Sequence, residues 1–196
     1  VVVAEKPSVG RDIARVLKCK TAGDGCVAGE NYIVTWALGH LVTLCEPDEI
    51  DEKYKKWRMD DLPMLPETLP TKVISKTKKQ YAVVKKLIND ANTERVICAT
   101  DAGREGELIF HYIYAQAKCK KPVERLWISS MTDEAIREGF AALKPDSAYD
   151  GLRQSAVCRS EADWLVGMNA SRAFTLRYDA LLSVGRVQTP TLAILV

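Results

Sequence analysis

Two stretches decide the fold: Val1-Val2-Val3-Ala4-Glu5-Lys6-Pro7-Ser8, and residues 95–107, Arg95-Val96-Ile97-Cys98-Ala99-Thr100-Asp101-Ala102-Gly103-Arg104-Glu105-Gly106-Glu107. Each begins as a short, β-branched apolar run and stops at an acid. Runs this short and this continuously apolar read as buried strands. Ser8 can then cap a helix over about 9–18, with Val9, Ile13, Val16 and Leu17 on one side. A second helix is expected over 106–118.

Outward from these strands the alternation continues. Residues 21–30 are Gly-rich and turn-like, and Tyr32 to Leu44 reads as one or two strands around Gly39-His40. Charges and prolines dominate Glu46 to Pro70, which predicts a long connection. Helical spacing of Tyr81, Val84, Leu87 and Ile88 predicts a helix over 77–91. Strands are expected over 95–100 and 125–128, and a helix over 132–143 capped by Thr132. This order predicts an α/β fold, a mostly parallel sheet with helices on both faces. Lys144-Pro145-Asp146-Ser147 marks a boundary. Beyond it, 151–178 reads as one long helix or two joined ones, and 181–196 ends on the apolar run Thr191 to Val196.

Composition excludes several classes. With 47% hydrophobic and 28% charged residues among 196, the chain is neither disordered nor membrane-embedded. Its longest apolar stretch, Ile33 to Leu44, is too short to span a bilayer, and no signal-peptide pattern opens it. A net charge of +2 gives no global argument for nucleic acid, but charge is unevenly placed. Lys72 to Lys86 holds six lysines and no acid, and 147–196 holds five arginines and no lysine. The lysine run is most simply a solvated helix face. Six scattered cysteines without a CxxC pair read as reduced thiols, and two histidines exclude a His-rich metal site.

Ligands of open α/β sheets bind beyond the carboxyl ends of the strands. Glu5 and Asp101 sit there, and Glu105 and Glu107 follow at the start of a helix. If the two strands are neighbours, the carboxylates converge. The loop lacks both the dinucleotide fingerprint and the P-loop pattern. Its acids would repel a phosphate unless a cation lay between, and hard oxygen donors without His or Cys suit Mg²⁺. The competing reading is that Asp101 and Glu105 merely cap the helix and favour its dipole. Acids at two strand ends are harder to explain by capping. Lys6 and Arg104 either neutralise these acids or contact a phosphate, and Lys6 could supply a proton to a leaving oxygen. His40 is either a packed, hydrogen-bonded residue or a lining residue of the site. His111 reads as structural, and Trp36, Trp57, Trp127 and Trp164 as core.

Glu5-Lys6-Pro7-Ser8 followed by Ala99-Thr100-Asp101-Ala102-Gly103-Arg104-Glu105-Gly106-Glu107 resembles the Toprim domain of type IA DNA topoisomerases. Gly39-His40-Leu41 with Tyr54-Lys55-Lys56-Trp57 resembles the topoisomerase III branch. The stretch from Arg159 to Arg172 resembles the DNA-binding helix that follows Toprim, and Ser183-Val184-Gly185-Arg186-Val187-Gln188-Thr189-Pro190 resembles the family's GRVQTP segment. The resemblance implies a Rossmann-like Toprim domain over 1–146 and the beginning of a helical DNA-binding domain over 147–196. It implies Glu5 and Lys6 as catalytic residues and Glu5, Asp101 and Glu105 as magnesium ligands. Arg104, Arg159, Asp163, Arg172, Arg186 and Gln188 become the DNA-contacting set, with His40 and Glu107 lining the site.

One position departs from the family. The middle acid of its D-x-D-x-E set is Gly103 here, so either Glu107 or a water takes its place, or the site binds magnesium more weakly. The family's nucleophilic tyrosine stands in a Thr-Tyr-Pro-Arg-Thr type context that none of the seven tyrosines shares. The resemblance therefore implies an N-terminal piece of a cytoplasmic, nucleoid-associated bacterial enzyme. Its partners would be single-stranded DNA and the enzyme's remaining domains, with neither membrane nor ATP. Two other readings stand beside it: a Toprim nuclease or nucleotidyl transferase in which magnesium activates water, and a non-catalytic binding module. Loss of the acid at Gly103 favours the last, and joint retention of Glu5, Asp101 and Glu105 opposes it.

Overall fold

The computed structural model describes residues 1–196. They fall into two compact units, 1–43 with 72–156, and 44–71 with 157–196. This differs from a single cut at 146/147. The Glu46–Pro70 segment, expected as a connection, packs with the C-terminal residues.

In the first unit the strands are β1 (Val2–Ala4), β2 (Thr21–Gly23), β3 (Cys26–Ala28), β4 (Ile33–Trp36), β7 (Val96–Ala99), β8 (Val123–Arg125) and β9 (Lys144–Pro145). They form one sheet in the order β2-β3-β4-β1-β7-β8-β9. The centre is parallel: β1 pairs with β4 on one side and β7 on the other, and β7 pairs with β8. The two edges are antiparallel additions. A further pair, β5 (Val42–Leu44) and β6 (Thr71–Val73), forms a separate two-stranded sheet where the chain leaves and re-enters this unit.

The helices of this unit are α1 (Pro7–Val16), α3 (Lys78–Ile88), α4 (Arg104–Gln116) and α5 (Asp133–Ala141). Alternation along the central strands distributes them. Val3 and Cys98 face one core, shared with Tyr81, Val84 and Ile88 of α3 and Ile109, Phe110 and Ile113 of α4. Val2, Ala4, Ile97 and Ala99 face the other, with Ile13 and Ala14 of α1 and Ile136 of α5. A strand covered on both faces must be apolar at every position, and every residue of β1 and β7 is buried. The register Ala4↔Ala99 brings both strands to their carboxyl ends side by side.

In the second unit, α2 (Pro47–Ile50) and short 3₁₀ turns at Glu52–Lys55 and Met59–Asp61 lead through Met64 to β6. The long helix α6 (Asp150–Tyr178) begins in the first unit and continues in the second, and α7 (Gln188–Leu195) ends the chain. Asn169 Oδ1 accepts from Met64 N–H at 2.6 Å and its amide donates to Met64 O at 3.0 Å. Trp164 Nε1 donates to Cys45 O at 2.9 Å. No helix is long and apolar enough to cross a membrane.

Candidate functional site

The parallel pairing of β1 with β7 sets Glu5 beside Thr100 and Asp101. Glu5 is 6% exposed, an expensive place for a carboxylate, and its Oε2 accepts the Asp101 N–H at 3.1 Å. Its other oxygen lies 3.5 Å from Lys6 Nζ, which also stands 3.9 Å from Asp101 Oδ2. Lys6 and Asp101 are otherwise open to solvent. A buried and an exposed carboxylate thus share one lysine.

The loop from Thr100 to Gly106 folds tightly on itself. Thr100 Oγ1 donates to Gly106 O at 2.8 Å. A Cβ at Gly106 would stand 2.0 Å from Asp101 O, so only glycine lets α4 start this close to the loop. Gly103 is different: its φ is 172°, ordinary extended backbone, and a Cβ there meets nothing within 4 Å. The turn at Gly39, with φ +75°, is tied to the same sheet end by Gly39 N–H donating to Glu5 O at 3.3 Å. It presents His40, whose Nε2 lies 2.6 Å from Glu105 Oε1. The structure therefore brings Glu5, Lys6, Asp101, Glu105 and His40 to one end of the sheet, with Arg104 exposed beside them.

Glu107 is not among them. It is fully buried on the inner side of α4, and its Oε1 accepts from Arg125 Nε at 2.6 Å. Helical phase explains the difference: two residues beyond Glu105, a side chain points to the opposite side of the helix. Glu107 is thus not placed to replace the acid missing at Gly103. His111, one turn on, has Nε2 3.4 Å from Glu107 Oε2 and 3.1 Å from Asp146 Oδ1. Arg153 bonds Asp146 at 2.6 Å and also Asp150. Burial works against charge on Glu107 and Asp146, but the facing His111 imidazole and the arginines outweigh it and hold both below the usual carboxylate range. Burial likewise opposes protonation of His111, as does Arg153 at 3.4 Å, and the facing carboxylates of Asp146 and Glu107 outweigh both, raising its pKa.

Arg125 was invisible in the sequence as a site residue. It is completely buried in β8, a strand expected two residues later. The available signal was a lone arginine inside a strand of a parallel sheet, where a cation demands a buried acid. The thiol of Cys98, next to this network, is pushed by burial up to about 11, which removes it as a nucleophile at neutral pH.

The DNA-contacting residues expected from sequence divide in two. Along the exposed side of the second unit, Arg186 forks onto Asp163 through Nε at 2.5 Å and Nη2 at 3.2 Å, and Arg159 lies 3.9 Å from the same carboxylate. The Arg186 hydrogen bond holds Asp163 below its ordinary range. Gln188 Nε2 donates to Ser183 Oγ at 2.7 Å. Asp163, Gly167, Val184, Arg186 and Gln188 line an open groove there. Arg172 does not join them. It is 7% exposed, donates to Tyr54 O at 2.7 Å and lies over the Trp57 ring at 5.0 Å. Its charge is spent inside the unit. Trp57 and Trp127, expected in the core, are about two-fifths exposed, at 41% and 40%.

Glu5, Asp101 and Glu105 offer only hard carboxylate oxygens, a donor set that fits a magnesium-like cation. Glu5 and Asp101 both lie against Lys6, at 3.5 and 3.9 Å, and Glu105 must first part from His40. The three donors that the structure does gather within 4.8 Å are others, Glu107, His111 and Asp146.

Comparison with known proteins agrees with this geometry. A family model described as Toprim domain matches residues 1–131, and one described as DNA topoisomerase matches residues 147–196. DNA topoisomerase 3 of Bacillus cereus (strain ATCC 14579) is 60% identical over 195 residues, which is 100% of this chain and 27% of that protein. The Bacillus subtilis (strain 168) protein of the same name is 55% identical over the same span. The chain thus spans about a quarter of the length of these relatives. The structure of full-length topoisomerase I from Thermotoga maritima shares the fold, with a TM-score of 0.64 at 22% identity, covering 98% of this chain and 29% of that one. With paired acidic strand ends, a glycine-tight loop and a match across most of its length, the chain belongs to the Toprim domain family.

Proposed function

We propose that this chain forms the acidic half of the active site, and part of the single-stranded DNA surface, of a type IA DNA topoisomerase of the topoisomerase 3 kind. The carrying observation is the juxtaposition of Glu5, Lys6 and Asp101 at the ends of two adjacent parallel strands. The relatives named DNA topoisomerase 3 support the reading. Glu5, Asp101 and Glu105 would hold Mg²⁺, which when bound would offset phosphate charge beside the carboxylates. Lys6, 3.5 Å from Glu5, can hold a proton next to a departing oxygen. Arg104 is free to meet a phosphate. Arg159, Arg186 and Gln188 would follow the strand's backbone, with Asp163 fixing the Arg186 fork. Strand cleavage in such an enzyme passes the ester bond to a tyrosine and back, so resealing would need no ATP. A bacterial cytoplasm, at the nucleoid, is the setting this implies.

The test is a chimera in which this chain replaces the matching 195 residues of the Bacillus cereus relative. It should relax negatively supercoiled DNA with magnesium and without ATP, and Glu5→Gln should abolish relaxation. A chimera that folds and binds DNA yet never relaxes it, at any magnesium level, refutes the assignment. In the chain itself, Arg159→Ala and Arg186→Ala should each lower the salt dependence of single-stranded DNA binding by about 0.7 in log–log slope. Unchanged slopes would remove these residues from the DNA surface.

A further inference from the structure

The charges around Arg125 run from the fully buried Arg125 and Glu107 out to the partly exposed Asp146 and Arg153, and they reach the candidate site. Arg125 Nη2 donates to Asp101 O at 2.7 Å, and Nη1 lies within hydrogen-bond distance of three carbonyls, Thr100 at 2.8 Å, Leu126 at 2.8 Å and Cys98 at 3.1 Å. Its Nε is held by Glu107 at 2.6 Å. One guanidinium thus gathers the carbonyls at the end of β7, where the chain turns out to present Asp101. That same turn aims the Asp101 N–H at Glu5.

The guanidinium is itself held. Glu107 faces His111, His111 faces Asp146, and Arg153 joins Asp146 to Asp150. Tyr114 packs its ring edge-on to His111, with centroids 6.5 Å apart. The acids Glu107, Asp146 and Asp150 face Arg125 and Arg153, with His111 between Glu107 and Asp146 and its Nε2 also 3.4 Å from Arg153 Nη1. On its outer side Arg125 lies 5.1 Å from the Trp127 ring, which stacks on Tyr149. The chain of charges runs from the Asp101 loop through α4 to the start of α6.

We propose that Arg125 is the positioning residue of the Asp101 loop, and that Glu107, His111, Asp146 and Arg153 form a partly buried latch that fixes the Arg125 fork. A fork is needed because a single point charge cannot hold several carbonyls in a set geometry, and lysine would offer no fixed plane. The latch makes the arrangement of Asp101 and Glu5 a property of the folded protein rather than of a bound ion. The consequence for metal binding rests on the function proposed above. The consequence for the loop does not.

The experiment measures amide hydrogen exchange by NMR in the metal-free chain, for the wild type, Glu107→Gln, His111→Ala and Arg125→Lys. Exchange of the Asp101 amide should quicken about tenfold or more in each variant, while Ile136, in the core on the other face of the sheet, keeps its rate. General loosening would move both together, and that result overturns the positioning role, as does an unchanged Asp101 rate in folded Glu107→Gln and His111→Ala proteins. A magnesium titration follows. Removing a partner that orients a metal-holding loop should raise the magnesium midpoint by roughly 10- to 100-fold. If the wild type shows no magnesium effect on Glu5 or Asp101 signals, the metal reading fails while the exchange result still stands. Saturable zinc binding that displaces the His111 proton would make the cluster a metal centre instead of a latch, and would also overturn the proposal.

Discussion

Gly103 and Gly106 stand three residues apart and are glycine under opposite constraints. At Gly106 a Cβ would collide with Asp101 O at 2.0 Å, a backbone atom that cannot swing aside. Gly106→Ala should cost about 1–3 kcal/mol, the usual penalty of overpacking, read as a fall in urea midpoint. At Gly103 nothing lies within 4 Å and the backbone is extended, so an aspartate enters without strain. Gly103→Asp should keep the melting temperature within about 2 °C, as surface substitutions do. It should tighten magnesium about tenfold, because another carboxylate joins the donor set. Calorimetry giving equal magnesium affinity for both proteins would place the 103 side chain outside the metal's reach. Sequence made Glu5 and Asp101 readable because both follow β-branched runs. Helical phase set Glu105 and Glu107 on opposite sides, but it could not say which side faces the core, since that follows from how α4 meets the sheet, nor could sequence separate Arg172 from Arg159, since burial by Tyr54 and Trp57 comes from a distant segment.

At the scale of elements, local chemistry was legible where it was self-contained. Thr132 accepts the Ala135 N–H at 3.3 Å and starts α5 where the expected Thr132 cap placed it. Thr132→Ala should therefore cost about 1 kcal/mol, whereas Thr132→Asp should be close to neutral. Equal losses for both would mean that the cap oxygen contributes little. The β2–β3 hairpin was hidden because its strands are short, β2 exposed throughout and β3 only partly buried, without the alternation that marks a sheet face. Its turn did carry a readable signal, Asp24-Gly25, with Gly25 at φ +70°. The segment 46–70 looked like a connection because its buried residues, among them Tyr54 and Met64, are isolated among charges and prolines. No period links them, and their partners Arg172 and Asn169 lie more than a hundred positions away. For β8 the expected span began at the arginine. Pairing with β7 starts earlier, at Val123, and ends on Arg125.

At the scale of the whole molecule, the partly buried latch ties stability to pH from both sides. Glu107 and Asp146 are held below their ordinary range, so their contribution is present above the unfolded carboxylate pKa of about 4 and is lost as pH falls through the lowered folded values. His111 is raised, so its contribution is complete below its unfolded pKa of about 6.5 and is lost as pH rises through the folded value. Stability should therefore be greatest from about pH 5 to 6.5 and decline on the alkaline side. One proton held by the native state and not by the unfolded one gives a slope of about 1.4 kcal/mol per pH unit. That slope lasts only between the unfolded and folded pKa of His111. His111→Gln keeps a polar side chain but cannot carry the charge that offsets Glu107 and Asp146, which face it at 3.4 and 3.1 Å. The variant should be less stable than the wild type at pH 6, and the gap should narrow as pH rises and the wild-type imidazole loses its proton. Urea unfolding at intervals from pH 5 to 9 measures both curves. Curves that run parallel would show that the His111 pKa is the same in the native and unfolded states, and a gap that widens from pH 6 to 7 would show that His111 is neutral in the native protein throughout. In that case the acids Glu107 and Asp146 would be balanced by Arg125 and Arg153 alone, leaving Asp150 to solvent.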